Sequence, residues 1–77
     1  MKSLRSKWHR AVVTVLIASR HEAKLTQKEL ADGIGWHISK IAKIESYERR
    51  VDVPEFIQIA HGLQIDPVEL MTRALNW

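Results

Sequence analysis

Ser39 and Lys43 have the most informative spacing among the polar residues, because they lie four positions apart in the segment ISKIAKIE. Residues four apart share one face of a helix, and Ile41 and Ile44 form an apolar face on the opposite side. A hydroxyl and an ammonium group on an exposed helix can donate hydrogen bonds to the bases or phosphates of nucleic acid. The segment therefore predicts a helix that presents polar groups to a polyanion, and an ordinary solvated face is the alternative.

Residue clusters typical of enzymes and metal sites are missing from the sequence. The chain has no cysteine, which excludes disulfides, thiolate nucleophiles and cysteine-ligated zinc and makes the cytoplasm the default location. The four histidines lack metal-ligand spacing; they are His9, His21, His37 and His61. No glycine-rich phosphate loop is present either. We therefore expect no catalysis, no cofactor and no bound metal.

Charge is unevenly distributed along the chain. Residues 1–50 carry eleven Lys and Arg against five Asp and Glu, whereas residues 51–77 carry one against four, so their net charges are +6 and −3. This polarity favours one face for a polyanion and another for a partner, although an ordinary solvated surface has the same composition.

The basic leader is predicted to be a frayed terminus, with a DNA-contacting arm as the alternative. It contains Lys2, Arg5, Lys7 and Arg10.

Length and hydropathy limit the chain to a single domain, which we assign to residues 1–77. At 77 residues one core is only marginally stabilising, and a partner subunit often completes it. The longest apolar stretch lies within residues 11–18, well short of the roughly 20 residues that a bilayer span needs. We expect no membrane segment, and no signal peptide behind the basic start MKSLRSKWHR.

Apolar periodicity predicts a first helix over about residues 6–23. Trp8, Val12 and Leu16 recur at helical spacing. The β-branched run at residues 12–15 also suits a strand, but no second strand-like run exists to pair with it. A helix is therefore the expected structure.

A glycine separates the next two predicted helices. Thr26 and Glu29 form a capping box at the start of the second helix, and Gly35 provides the left-handed conformation that a sharp exit needs. The third helix covers residues 38–45. Too few residues remain between the two helices for an ordinary loop.

The last two predicted helices begin with the same capping device. Asp52 and Glu55 pair at the start of the fourth helix, and Asp66, Pro67 and Glu69 mark the start of the fifth. No internal repeat or linker interrupts the series. The predicted fold is an all-α, compact five-helix bundle.

The segments LTQKELADGIG, ISKIAKIE, RR and IAHGLQIDPVEL together resemble the phage repressor and Cro-like helix-turn-helix family, also called the XRE type. The resemblance extends without a gap from about Leu16 to Leu70. It implies a DNA-binding domain whose helix-turn-helix covers about residues 26–45. The third helix is then the recognition helix, which enters the major groove.

The resemblance also assigns DNA contacts to individual residues. It implies base reading by Ile38, Ser39 and Lys43, although Ile38 also suits the core and the lysines also suit a solvated surface. Phosphate contacts are implied for Gln27, Lys28, His37, Lys40, Arg49 and Arg50. The alternative for the two arginines is a surface ion-pair cluster with Glu48 and Asp52.

Two further features follow from comparison with the family pattern. Arg20 and Glu45 match a family ion pair between the first helix and the end of the third, a structural role rather than a catalytic one. Tyr47 stands where the family usually has glycine, which favours a different turn after the third helix over a strained tyrosine. Gln64 replaces another frequent helix-ending glycine.

The end of the chain is more apolar than a lone terminal helix needs. The predicted dimer interface consists of Leu70, Met71, Leu75 and Trp77. The family implies dimerisation through helices four and five, over about residues 52–76. The alternative is that Trp77 folds back on its own core, while Trp36 is expected to cap the core between the helices.

Two functions are compatible with these features. The first is a sequence-specific transcriptional regulator, a repressor or autoregulator that binds an inverted-repeat operator in double-stranded DNA as a homodimer. The second is a protein-interaction module such as an antitoxin or adaptor, whose main partner is a toxin or another regulatory protein. The first is the leading interpretation, while the limited base-reading chemistry of Ile38 and Ser39 and the acidic last helices keep the second open.

Overall fold

The computed structural model describes residues 6–77 and folds them into five α-helices, with no strand in that range. The helices are α1 (Lys7–Glu22), α2 (Gln27–Gly33), α3 (Ile38–Glu45), α4 (Val53–Leu63) and α5 (Pro67–Leu75). The predicted all-α five-helix bundle is confirmed. Lys2 and Arg5 of the basic leader lie outside the described residues, whereas Lys7 and Arg10 belong to α1, so the predicted frayed terminus is wrong for these two. None of the helices between residues 6 and 77 combines the length and the apolar character that a bilayer span requires.

Side-chain caps fix where the helices begin. The Thr26 hydroxyl accepts the Glu29 amide at 3.0 Å, and the Glu29 carboxylate accepts the Thr26 amide at 2.8 Å, which completes the predicted capping box. Asp52 and Glu55 form the second predicted box at the start of α4. Asp66 caps α5 through its carboxylate. These starts are therefore set by local hydrogen bonds that the sequence encodes directly.

All five helices contribute buried apolar side chains to one core. The cluster contains Val13, Val15, Leu16, Leu30, Ala31, Ile41, Ile44, Phe56, Ile59, Ala60, Leu63, Leu70 and Ala74. Trp36 is partly buried and packs against this cluster, as predicted. Trp8, which the periodicity assigns to the inward face of α1, is instead 55% exposed. It lies in the first turn of α1, before the buried face begins at Ala11.

The packing of the helices holds α2 and α3 from two sides. α1 packs against α3 and α5, whereas α4 packs against α2 and α5. Gly62 shows how closely α4 approaches the end of α2. A Cβ atom at Gly62 would lie 2.7 Å from Ile34 Cγ2 and 2.8 Å from Leu30 Cδ1. A larger residue there would force these two side chains or α4 itself to shift.

The turn after α3 contradicts its prediction. α3 ends at Glu45, and Tyr47 adopts a φ of 66°, the left-handed conformation that favours glycine. The expectation of a different turn is therefore wrong. The Tyr47 hydroxyl lies 3.1 Å from Thr14 Oγ1, and its ring meets the His9 ring edge to face with centroids 6.1 Å apart. These contacts with α1 offset a conformation that costs roughly 1–2 kcal/mol for a residue with a Cβ.

Candidate nucleic-acid interface

Gly35 makes the tight turn between α2 and α3 possible. Its φ of 73° is left-handed, and the Trp36 amide then donates to the Ala31 carbonyl at 2.8 Å. α2 ends at Gly33, slightly before the glycine that was expected to end it. Only residues 34–37 separate the two helices. The pair therefore forms a helix-turn-helix.

α3 presents a polar face to solvent and an apolar face to the core. Ile41 and Ile44 are 2% and 1% exposed. Ser39 and Lys43 are exposed on the opposite side, and within residues 6–77 Lys43 forms no ion pair. Ile38 is 40% exposed, which removes the core role that its position left open. The three residues predicted to read bases therefore all lie on the accessible surface of α3.

His37 caps the start of α3 through its ring. Its Nδ1 accepts the Ser39 amide at 3.1 Å and lies 2.9 Å from the Ser39 hydroxyl. A neutral ring whose Nδ1 is an acceptor carries its proton on Nε2, so that Nε2–H is left to donate to an anion. The histidine thus replaces the hydroxyl cap that is usual at such a position and orients Ser39 as well.

A bidentate ion pair ties α3 to α1. Arg20 Nε donates to Glu45 Oε2 at 2.7 Å and Arg20 Nη2 donates to Glu45 Oε1 at 2.9 Å, with 9% of each side chain exposed. Arg20 Nη1 also donates to the Leu25 carbonyl at 2.8 Å. Gln27 Nε2 donates to Glu45 Oε1 at 2.9 Å. Glu45 thus joins α1, the start of α2 and the end of α3, which fixes how α3 is presented.

The residues expected to contact phosphate differ in how their polar groups are engaged. Gln27 is bonded to Glu45, as a brace for α3. Lys28 lies 2.9 Å from Asp32, but these side chains are 70% and 63% exposed, and such pairs stabilise so little that a phosphate can replace the carboxylate. In the described part of the chain Arg50 forms no ion pair. Lys28 and Arg50 are therefore available to a DNA backbone.

Lys40 and Arg49 share one carboxylate, that of Glu55. Arg49 Nη1 and Nη2 donate to Glu55 Oε1 and Oε2 at 3.0 and 2.8 Å, and Lys40 Nζ lies 3.1 Å from Oε2. Lys40 Nζ also lies 4.0 Å from the centroid of the Trp36 ring. The hydrogen bonds from Arg49 lower the pKa of Glu55 to about 2, and the same bonds raise the pKa of Arg49. Glu55 is therefore ionised and fully engaged at neutral pH.

Sequence reasoning assigned Glu55 only a capping role and missed this cluster. The alternative prediction that Arg49 forms an ion pair is correct. The partner of Arg49 is Glu55, however, and not Glu48 or Asp52. Glu48 instead accepts the Ser46 hydroxyl at 2.6 Å. No spacing rule signals the pair, because Arg49 lies in a loop before the helix that carries Glu55.

Leu70 must be removed from the predicted dimer interface. Its side chain is fully buried, since it lies on the face of α5 that packs against the rest of the bundle. Met71, Leu75 and Trp77 are 37%, 61% and 69% exposed, so Trp77 does not bury itself against its own core. Leu75 and Trp77 line a shallow depression together with Trp8. The accessible apolar surface at the end of the chain therefore includes Val68, Met71, Leu75, Trp77 and the neighbouring Trp8.

Comparisons with known proteins agree with this geometry. A family model described as helix-turn-helix matches residues 16–70. The solved structure of an XRE-family like protein from Pseudomonas syringae pv. tomato is 35% identical in sequence. The match covers 97% of this chain and 92% of that one, with a TM-score of 0.87. No curated protein sequence matches the chain significantly.

Two more distant structures show the same fold. A mutant of the restriction-modification controller protein C.Esp1396I is 24% identical over 92% of this chain and 90% of its own, with a TM-score of 0.87. The clp gene regulator ClgR from C. glutamicum is 17% identical over 90% of each chain, with a TM-score of 0.81. At these identities the likeness extends to the fold alone.

Proposed function

The chain belongs to the XRE-type helix-turn-helix family, a family of DNA-binding transcription regulators rather than enzymes, and from this premise we propose that it is a repressor. It acts in the cytoplasm as a homodimer on an inverted-repeat operator, with its own promoter among its targets. α3 enters the major groove of double-stranded DNA.

The observation that supports this proposal is the pairing of an exposed polar face on α3 with a buried clamp behind it. Ser39 and Lys43 are exposed, while Glu45 of the same helix is held by Arg20. A helix fixed in this way presents its donors to DNA without an ordering cost at each encounter. Lys43 then donates to guanine O6 and N7, Ser39 serves several bases, and Ile38 packs on a thymine methyl.

Contacts with phosphate supply most of the affinity. Lys28 and Arg50 have exposed charges, and the Nε2–H of His37 adds a donor at the start of α3. Each cation that neutralises a phosphate releases counterions, so binding should weaken steeply as salt rises. Gln27 orients α3 through its hydrogen bond to Glu45. It also contacts the DNA backbone beside α3.

Dimerisation accounts for the exposed apolar surface of α5. Met71, Leu75 and Trp77 are accessible in the protomer, and a domain of this size gains stability by burying such a surface. A two-fold axis through this surface relates two recognition helices about 34 Å apart, which sets the spacing of the operator half-sites.

The same surface supports a second candidate function, that of an antitoxin or adaptor. An exposed cluster of Leu75, Trp77 and Trp8 is also a suitable contact for a toxin or another regulatory protein. The two candidates differ in whether DNA binding alone changes transcription.

A reporter placed behind the promoter of the chain's own gene tests the proposed function. Co-expression of the chain should reduce reporter output, and Lys43→Ala should restore it while the protein accumulates normally. An output that is equal with and without the chain would contradict autorepression and favour the interaction module.

A further inference from the structure

We propose that Glu55 is an internal anion that keeps Lys40 and Arg49 from engaging DNA phosphates with their full charge. The inference rests on the proposed DNA-binding function. It adds to that function a residue that contacts no DNA itself but sets how strongly two neighbouring cations respond to DNA.

The hydrogen-bond donors around the Glu55 carboxylate are arranged as they would be around a bound phosphate. The two carboxylate oxygens accept hydrogen bonds from Arg49 Nη1 and Nη2 at 3.0 and 2.8 Å and from the Asp52 amide at 3.1 Å, and Lys40 Nζ forms an ion pair at 3.1 Å. A bidentate guanidinium pair is the same arrangement that arginine uses on a phosphate. The Glu55 side chain is only 12% exposed, so the cations meet an anion that is fixed in place.

The cations themselves still reach solvent. The side chains of Lys40 and Arg49 are 32% and 38% exposed. Lys40 lies next to Ser39 in α3, and the Trp36 ring confines its ammonium group at 4.0 Å. Two cations and one anion at this position amount to one net positive charge. The depressed pKa of Glu55, about 2, means that its negative charge persists at neutral pH.

A cluster with one net charge should neutralise one phosphate rather than two. The number of neutralised phosphates sets the slope of log K against log salt, at about 0.9 for each phosphate on B-DNA. Glu55 therefore lowers the affinity for every duplex and leaves discrimination to the exposed residues of α3. Base reading by Lys43 does not involve this cluster, since within residues 6–77 Lys43 forms no ion pair with Glu55.

The test is Glu55→Gln, measured by the binding of a selected operator duplex and an unrelated duplex at several salt concentrations. Glutamine keeps an oxygen for the Asp52 amide, and capping boxes accept glutamine at this position, so α4 should still form. The expected slope is steeper by about 0.9 on both duplexes, an extra loss of about 3.5-fold between about 50 and 200 mM salt. An unchanged slope would overturn the proposal.

Glu69→Gln is the matched control. Glu69 also lies in the first turn of a helix and pairs with an arginine, Arg73, at 2.9 Å, but it belongs to α5. The Glu69→Gln substitution changes the net charge by the same amount as Glu55→Gln and should leave the salt slope at the wild-type value. Equal steepening by Glu69→Gln would show a general charge effect and contradict the role of Glu55.

A double variant separates the effect of charge from any loss of protein stability caused by Glu55→Gln. Arg49→Gln with Glu55→Gln removes one charge of each sign and leaves Lys40 as the single cation of the cluster, so the slope should return to the wild-type value. A slope that stays steep would contradict the charge argument. If the wild type prefers the operator but Glu55→Gln leaves its slope unchanged, only this inference fails. If the wild type binds the operator and the unrelated duplex equally well while Glu55→Gln steepens the salt slope, only the proposed sequence-specific regulation is contradicted.

Discussion

Arg20 and Glu45 lie 25 residues apart in the sequence and form a bidentate ion pair with distances of 2.7 and 2.9 Å. Both side chains are 9% exposed, and Gln27 completes the hydrogen bonding of the carboxylate. This pair connects α1 with the end of α3. The orientation of the helix that faces DNA therefore depends on an interaction behind it.

Glu45→Gln should lower the free energy of unfolding by about 3–5 kcal/mol, because it leaves the buried Arg20 guanidinium without a counter-charge. Urea denaturation followed by circular dichroism measures the change. Asp32→Asn is the control, since it breaks the exposed pair with Lys28 and should cost less than about 1 kcal/mol. Equal losses from both variants would contradict the structural role of Arg20 and Glu45.

Tyr47→Ala should destabilise the protein more than Tyr47→Gly. Alanine keeps the cost of the left-handed φ of 66° and loses the contacts with Thr14 and His9, whereas glycine loses the contacts but removes that cost. The glycine variant should be more stable than the alanine variant by about 1 kcal/mol. Thermal melts of the two variants decide the order, and the reverse order would show that the turn does not require a left-handed residue.

Lys43→Ala should relax base preference at one position of the operator, with a loss of discrimination of about 1–3 kcal/mol. Arg50→Ala should instead weaken binding to all duplexes about equally and flatten the salt slope by about one unit. Titrations against a set of singly substituted duplexes compare the two variants. A uniform loss of affinity from both would contradict the assignment of Lys43 as a base reader.

Acid should remove the stabilisation that comes from Glu55. Because the Arg49 hydrogen bonds lower its pKa from 4.5 to about 2, the contribution is complete above pH 4.5 and disappears as the pH falls through 2. The melting temperature of the wild type should exceed that of Glu55→Gln, and the difference should narrow as the pH falls from 4.5 to 2. A margin independent of pH would show that the ion pair does not supply the stability.

Replacement of Leu75 and Trp77 by serine should convert the dimer into a monomer. These residues are 61% and 69% exposed in the protomer, so the fold of each chain should remain. Sedimentation velocity reports the mass, and circular dichroism reports the helix content. Ile38→Ser, at a residue that is 40% exposed on α3 and outside the predicted dimerisation segment, is the control and should leave the dimer intact. A wild type that sediments as a monomer would contradict the dimer itself.

Local signals in the sequence were sufficient for most of the fold. The Thr26 and Glu29 capping box needs only residues three positions apart, and Gly35 needs only its own backbone freedom. The exposed face of α3 follows from helical spacing once Ile41 and Ile44 are assigned to the core.

The features that sequence reasoning missed depend on contacts between distant segments. Tyr47 keeps its left-handed conformation because its hydroxyl pairs with Thr14 and its ring packs against His9, both of which belong to α1. Glu55 gathers a lysine from α3 and an arginine from the following loop, which only the folded arrangement brings together. Leu70 is buried because of the rotation of α5 on the bundle, which composition does not encode.

Selection of bound duplexes from a random pool by the purified protein is the most direct test of sequence-specific binding. An inverted repeat whose half-sites lie about 34 Å apart should be enriched, and Lys43→Ala should lose the preference for one base in each half-site. A pool that stays random at moderate salt would contradict sequence-specific binding by α3.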